Sequence, residues 1–211
     1  MRIGLLSDTH GFLDDAIFAH FENCGEIWHA GDIGSADVLD RVNSFRRARM
    51  VFGNIDGPEL RSRLSEDLQW TIENLEVYMT HIGGYPGRYN LRARQELARR
   101  KPDLFVCGHS HVLKVMRDTS LGLLHMNPGA RGHSGWHSRR TIMRFVVEAD
   151  NIRNIEALDL GLRGRNQPGT TEPSKLPRIA SIHGAVIVFN ASSTDRKHGL
   201  VTALFSTSRL S

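Results

Sequence analysis

Acidic, amide and imidazole side chains recur in five short polar stretches, and each stretch follows an apolar run. The stretches are Asp8-Thr9-His10, Gly31-Asp32, Gly53-Asn54, Thr80-His81 and Gly108-His109-Ser110-His111. Together they offer two carboxylates, four imidazoles and one amide. Such mixed nitrogen and oxygen ligands suit Mn, Fe, Co, Ni or Zn better than Ca or Mg, which prefer oxygen alone. The pattern therefore predicts a transition-metal site.

Spacing within the stretches supports this interpretation. In the Asp-x-His and His-x-His stretches, residues i and i+2 of an extended segment point the same way, so both side chains can reach one small volume. A glycine precedes Asp32, Asn54 and His109, and we expect it to allow a tight turn that aims the next side chain inward. Asp32 is placed to bridge two cations.

The elements that must position these side chains alternate in the first half of the chain. Apolar runs over 2–6, 26–29 and 49–52 read as strands, and amphipathic segments over 14–23 and 36–43 read as helices. This alternation is typical of an α/β layered fold, in which loops at the carboxyl ends of the strands face one side.

The second half is richer in predicted strands. A hairpin over 70–80 turns at Glu73-Asn74, and a helix over 91–100 ends before Pro102. Further strands are predicted over 104–107, 112–116, 121–126, 141–148 and 152–158. Two facing sheets with helices outside would bury these runs.

In this order the five stretches resemble the pattern of the calcineurin-like metallophosphoesterases: D-x-H, GD, GN, H and GHxH. Their local forms, with Asn127-Pro128-Gly129, look like the small bacterial and archaeal phosphodiesterase branch. The resemblance covers about residues 1–158. It implies a four-layer αββα sandwich and a phosphoric diester hydrolase.

The resemblance also implies a binuclear centre of two divalent transition metal ions. Asp8, His10, Asp32 and His111 would hold one metal, and Asp32, Asn54, His81 and His109 would hold the other. Manganese is expected, with nickel, cobalt, iron and zinc as alternatives. A hydroxide bridging both metals, held by Asp32, would attack phosphorus, with Asn54 and His81 near the substrate. Arg131 is a further candidate for contact with the substrate phosphate.

Two positions depart from the family pattern. Ile55 follows Asn54, where many members carry a histidine that stabilises the transition state or protonates the leaving group. Isoleucine can do neither, and general-acid help is typically worth about 10²–10⁴-fold. We therefore expect diesters with good leaving groups to be favoured over monoesters. Ile82 after His81 also differs from the Gly-His often found there.

Charge is unevenly distributed along the 211 residues, whose formal net charge is +4. Residues 161–211 carry seven basic and two acidic residues, whereas residues 1–160 carry 20 basic and 21 acidic ones. We predict a domain over 1–160 and a basic linker and tail of unknown role over 161–211. A nearly neutral domain is weak evidence for a nucleic-acid groove. A small-molecule phosphodiester is the expected substrate, and nucleic acid stays an alternative. If a homo-oligomer forms, we expect the tail to mediate it.

The compartment is predicted from what the chain lacks. No run approaches the roughly 18 apolar residues of a membrane helix, and the apolar start is too short for a signal peptide. We expect a cytoplasmic protein without a membrane partner. Cys24 and Cys107 stand in apolar settings and are predicted to be reduced and structural.

Other interpretations stay open at this point. The same fold resembles the retromer subunit branch, which works mainly through its surface, so a protein-binding scaffold is one alternative; that branch departs from the ligand set, whereas every ligand position here is filled. A phosphomonoesterase or nuclease is another alternative, which Ile55 disfavours. Asp56 either supports the metal-site asparagine or closes a turn, and His29 is predicted to be a hydrogen-bonded core histidine.

Overall fold

The computed structural model describes residues 1–163 and 187–188. The strands are β1 (Arg2–Leu6), β2 (Glu26–His29), β3 (Ala48–Met50), β4 (Asp67–Ile72), β5 (Leu75–Thr80), β6 (Leu104–Val106), β7 (Leu113–Asp118), β8 (Leu123–Pro128), β9 (Arg139–Glu148), β10 (Asn151–Leu162) and β11 (Ile187–Val188). The helices are α1 (Ala16–Phe21), α2 (Ala36–Phe45), α3 (Pro58–Arg63) and α4 (Leu91–Arg100).

The strands form two mixed sheets. The first has five strands in the order β10-β9-β1-β2-β3, and the second has six in the order β11-β7-β8-β6-β5-β4. In the first sheet β1, β2 and β3 are parallel, whereas β9 and β10 run antiparallel beside them. In the second sheet β5, β6 and β8 are parallel. The carboxyl ends of the parallel strands therefore meet at one edge of each sheet.

The main hydrophobic core lies between the two sheets. Alternate side chains of each strand face inward, as with Leu5 and Trp28 from the first sheet and Met79 and Val106 from the second. Each buried aliphatic or aromatic side chain of this size stabilises the fold by roughly 1.5–3 kcal/mol. This layer fixes the two sheets against each other, and with them the loops that follow their strands.

Helices cover the outer face of each sheet. On the first sheet, the buried side chains of α1 and α2, such as Phe21 and Val38, pack with Ile27 of β2. On the second sheet, Leu97 of α4 packs with Phe105 of β6. The order of layers is helix, sheet, sheet, helix, so the predicted four-layer αββα sandwich is confirmed.

Predicted and observed elements differ mainly at their ends. Helix α3 was not predicted, because Leu60 is its one buried residue and a six-residue helix shows no apolar period. Strand β10 continues to Leu162, past the expected boundary at residue 160. In the tail, Ile187 and Val188 pair with β7. Three expectations lie outside the described residues: the rest of the strand over 182–189, the strand over 200–205 and a role of the tail in an oligomer.

Two sequence-based expectations concern individual features of the described chain. None of the helices in residues 1–163 is long and apolar enough to span a membrane. Cys24 and Cys107 are both buried and free of a disulfide, as predicted. Burial raises the pKa of the Cys107 thiol to about 12, so this side chain behaves as a small apolar residue at neutral pH.

Candidate metal centre

The predicted ligands all lie in loops that directly follow strands, and these loops come from both sheets. Asp8 and His10 follow β1, Asp32 follows β2 and Asn54 follows β3; His81 follows β5, and His109 and His111 follow β6. Main-chain hydrogen bonds join the loops: the N–H of Gly108 donates to the carbonyl of His81 at 3.0 Å. The N–H of His109 donates to Oδ2 of Asp8 at 3.2 Å, which links the two sheets at the site.

The structure brings six of the seven predicted ligands into two clusters. The clusters are Asp8, His10 and His111, and Asp32, His81 and His109; within each, the potential ligand atoms lie within 4.8 Å of one another. Asp32 stands between them, because its Oδ1 lies 3.2 Å from His81 Nε2 and its Oδ2 lies 3.6 Å from His10 Nε2. One carboxylate thus presents one oxygen to each cluster.

Buried atoms without hydrogen bonds point into the two clusters. Asp8 Oδ1, His10 Nε2 and His81 Nε2 are buried and have no hydrogen-bond partner among the described residues. Burying a polar group without a partner is costly, and burying a charge more so, unless a partner or a metal compensates. The donor set is carboxylate oxygen and imidazole nitrogen, so it fits a transition metal cation.

The backbone of the ligands is itself strained. Asp8, His10, Asp32, His109 and His111 all adopt positive φ, between 49° and 66°. A non-glycine residue in this region costs of order 1–3 kcal/mol and persists where the surroundings over-determine it, which is frequent at functional sites. Five of the seven predicted ligands share this left-handed conformation. The Asp-x-His and His-x-His spacing had predicted an extended backbone, and that prediction is wrong.

The glycines before the ligands act differently from the prediction in two of three cases. Gly31 has φ of +92°, as a tight turn requires. Gly53 and Gly108 do not adopt the left-handed region; they are needed for close approach. A Cβ on Gly53 would lie 2.1 Å from Asp32 Oδ1, and one on Gly108 would lie 2.1 Å from Ser7 Oγ. A side chain at either position would push the loops apart.

Electrostatics favour positive charge at the centre. Burial alone would raise the pKa of Asp32, but the neighbouring His81 outweighs it and the net pKa lies below the usual value. Burial would lower the pKa of His81, but Asp32 and Asp8 raise it above its ordinary value. The two buried carboxylates therefore stabilise positive charge beside them, as a bound cation would require.

Asn54 and the rim lie beside the second cluster. Asn54 is exposed, and the N–H of the next residue, Ile55, donates to Asp32 Oδ1 at 3.1 Å. A cavity of about 230 Å³ opens here, lined by Phe52, Gly53, Asn54, Arg61, Glu66, Thr80, His81, Ile82, Asn90 and Arg92. The guanidinium of Arg61 donates to the carbonyls of Gly53 and Asp56, so it holds the Asn54 loop while facing the cavity.

The remaining candidates have defined contacts. Arg131 is buried, with its Nη2 2.6 Å from Asp14 Oδ2 and its guanidinium over the Phe12 ring; its contact with substrate stays a prediction. His29 is confirmed as a hydrogen-bonded core histidine, because Thr9 Oγ1 lies 2.9 Å from its Nε2 and the N–H of Gly31 donates to its Nδ1. Burial lowers the pKa of His29 to about 4.

Two supporting residues have clear roles in the loops. Asp56 accepts hydrogen bonds from the N–H groups of Ile33, Gly34 and Gly53, so its carboxylate joins the Asp32 and Asn54 loops. Asp56 therefore supports the loop that carries the metal-site asparagine and does more than close a local turn. Asn127, in the Asn-Pro-Gly stretch, donates through Nδ2 to the carbonyl of Gly108 at 2.7 Å and so holds the His109 loop.

Replacing Asp56 with alanine is expected to lower the free energy of unfolding by about 2 kcal/mol or more. The buried N–H groups of Ile33 and Gly53 lose their acceptor, and each buried loss costs about 1–3 kcal/mol. Urea denaturation measures this free energy. Asp56→Asn keeps one acceptor oxygen and should lose less. Asp40→Ala, at an exposed ion pair with Arg63, should change little; an equally small effect of Asp56→Ala would refute the assignment.

Two residues of the site, Arg61 and His137, carry no sequence motif that would identify their roles. Arg61 lies in α3, which carries no motif, and its role rests on loop carbonyls that no sequence pattern identifies. His137 lies 3.0 Å, Nδ1 to Nδ1, from His111, although it stands 26 residues away in the chain. The sequence shows that His137 follows the Asn-Pro-Gly turn, but it does not indicate that this side chain contacts His111.

Comparison with known proteins points to one family. The family model for the calcineurin-like phosphoesterase superfamily domain matches residues 1–150. A probable metallophosphoesterase of Methanothermobacter thermautotrophicus is 32% identical over 141 residues, which cover 62% of this chain and 77% of the relative. One of Methanocaldococcus jannaschii is 29% identical over 137 residues, covering 62% and 68%. The Vps29 structure of Chaetomium thermophilum shares the fold, with a TM-score of 0.66 at 13% identity, covering 86% of this chain and 96% of that one.

Proposed function

The chain belongs to the calcineurin-like phosphoesterase superfamily, and on that premise we propose that it is a phosphodiesterase with two divalent transition metal ions, manganese by expectation. The proposal places it in the cytoplasm and gives it a small-molecule phosphodiester as substrate. The observation that carries it is the position of Asp32, whose two oxygens face the two ligand clusters.

Asp8, His10, Asp32 and His111 would hold one metal, and Asp32, Asn54, His81 and His109 the other. When bound, two such cations supply a hydroxide nucleophile at neutral pH, polarise phosphoryl oxygens and stabilise in-line displacement. The protein contributes two negative charges, from Asp8 and Asp32, and neutral imidazoles. With one hydroxide, two divalent cations would then leave a net charge of about +1 to meet an anionic phosphate.

The residues around the centre would decide which ester reacts. Asn54 and His81 line the cavity beside the second cluster, so one ester arm of the substrate would lie against them. Ile82 lines this cavity and exposes 41% of its surface. Ile55, next to Asn54 in the chain, exposes 44%, and Val112, next to His111, exposes 41%. Apolar side chains around an ionic centre favour a substrate whose arms carry apolar or aromatic groups.

The leaving group would depart without help from residue 55. Isoleucine carries no exchangeable proton, so the departing oxygen must be stable as an anion or be protonated by water. A diester presents one negative charge to the centre, whereas a monoester dianion reacts through a looser transition state that places more negative charge on the leaving oxygen, so it depends more on the acid that residue 55 does not provide. The site therefore fits diesters with acidic leaving groups.

Relative rates on three substrates test this proposal. Manganese-loaded protein should hydrolyse bis(p-nitrophenyl) phosphate faster than p-nitrophenyl phosphate and faster than single-stranded DNA. A higher rate on the monoester would favour a phosphomonoesterase, and a higher rate on DNA would favour a nuclease. Either result would contradict the proposed specificity while leaving the metal centre in place.

A further inference from the structure

We infer that His137 is a positioning residue for His111: it fixes the imidazole tautomer in which Nε2 of His111 is free to bind a cation. The inference rests on the proposed metal centre and extends it to a side chain outside the ligand set. It concerns the cluster of Asp8, His10 and His111.

A chain of hydrogen bonds defines the tautomer. Nε2 of His137 lies 3.1 Å from the carbonyl oxygen of Gly132. A carbonyl only accepts, so Nε2 of His137 carries the proton, and in the neutral ring Nδ1 is then an acceptor. This Nδ1 lies 3.0 Å from Nδ1 of His111, which must therefore donate. Nε2 of His111 then turns its lone pair toward Asp8 Oδ1, 3.0 Å away, and a cation bound between these two acceptors would hold them together.

The backbone around His137 is shaped to cover the His111 ring. Gly135 has φ of +115°, and a Cβ there would lie 2.1 Å from His111 Nδ1. The N–H of Gly132 donates to the carbonyl of Asp8 at 2.9 Å. The segment 132–137 therefore contacts two ligands of one cluster, the main chain of Asp8 and the ring of His111.

The other cluster fixes its histidine by a different means. Nδ1 of His81 lies 2.7 Å from the carbonyl oxygen of Ala30, so a main-chain acceptor sets its tautomer. No side-chain substitution at Ala30 removes that acceptor. His111 depends instead on one side chain, so a change at residue 137 should weaken one metal site and spare the other.

Metal binding by variants of residue 137 tests the inference. His137→Phe keeps a ring but removes the acceptor, and His137→Asn offers an amide oxygen near the position of Nδ1. By calorimetry with Mn²⁺, wild type should bind two ions. His137→Phe should bind one of them about 10–100-fold more weakly, the usual effect of losing the partner of a ligating histidine. His137→Asn should recover most of that loss, and Ser134→Ala, on the same exposed loop, should match wild type.

The outcomes separate the inference from the function on which it rests. Two ions bound by His137→Phe with wild-type affinity would overturn the inference alone. Fewer than two ions bound by wild type would overturn the proposed centre and the inference together. Circular dichroism of each variant establishes that the fold is retained.

The tautomer can also be read directly. In metal-free protein at mildly alkaline pH, the Asp8 carboxylate beside Nε2 competes with His137 for the orientation of the His111 proton. Long-range ¹⁵N–¹H correlation spectra give the fraction of His111 rings that carry the proton on Nδ1, and this fraction should be lower in His137→Phe than in wild type. An equal or higher fraction in His137→Phe would overturn the inference, whatever the affinity measurements give.

Discussion

Asp32→Asn should lower kcat/KM for bis(p-nitrophenyl) phosphate by about 10³-fold or more. The amide keeps the size of the side chain, and its oxygen can still accept from the N–H of Ile55. Its NH₂ group, however, has no lone pair for a cation, so one of the two clusters loses its shared ligand. Metal-derived charge stabilisation is worth several kcal/mol, and each 1.36 kcal/mol is tenfold in rate.

The matched control is Asp40→Asn, an exposed carboxylate on α2 that pairs with Arg63 and belongs to neither ligand cluster. It should leave the rate unchanged. Bound manganese, measured alongside the rate, should fall from two ions to one in Asp32→Asn. A rate within tenfold of wild type, with two ions still bound, would show that Asp32 does not bridge the metals.

The second large effect is a gain of activity. Ile55→His should raise the rate on diesters with alkyl leaving groups by about 10²-fold, the lower end of what general-acid catalysis provides. The position is exposed, and the backbone N–H that donates to Asp32 is kept by any residue except proline. Nitrophenolate leaves without a proton, so the rate on bis(p-nitrophenyl) phosphate should rise much less.

The ratio of the alkyl rate to the nitrophenyl rate is the quantity to follow, since it cancels changes in the amount of active protein. Ile55→Gln serves as the control: it introduces a polar side chain that cannot act as an acid at neutral pH. If Ile55→His leaves this ratio as it is in wild type, the explanation of the substrate preference by residue 55 is wrong.

The ligand loops could be predicted from sequence because their information is local. Each loop follows a short apolar run, and the carboxyl ends of parallel strands meet at one edge of a sheet. That rule brings Asp8, Asp32 and Asn54 together within the first sheet. The two-residue spacing of His109 and His111 likewise predicts that both imidazoles lie in one loop.

What could not be predicted depends on contacts between distant segments. The His137 ring reaches His111 only because Gly135 lets the backbone pass over the ring. The left-handed conformation of Asp8 and His111 is imposed by neighbouring loops against local preference. The spacing of two residues is compatible with this geometry and with an extended one. It therefore predicted correctly that Asp8 and His10 lie close together, but it predicted the wrong backbone conformation.

A centre in which two metal ions carry out the hydrolysis requires that the rate follow the amount of metal bound, so the decisive measurement is the rate as a function of added metal. Metal-stripped protein should not hydrolyse bis(p-nitrophenyl) phosphate. On titration with Mn²⁺ the rate should rise and level off at two equivalents per chain. Full activity at one equivalent would contradict the shared role of Asp32. No hydrolysis with Mn²⁺, Ni²⁺, Co²⁺ or Zn²⁺ would contradict the proposed hydrolase activity and favour a protein-binding scaffold.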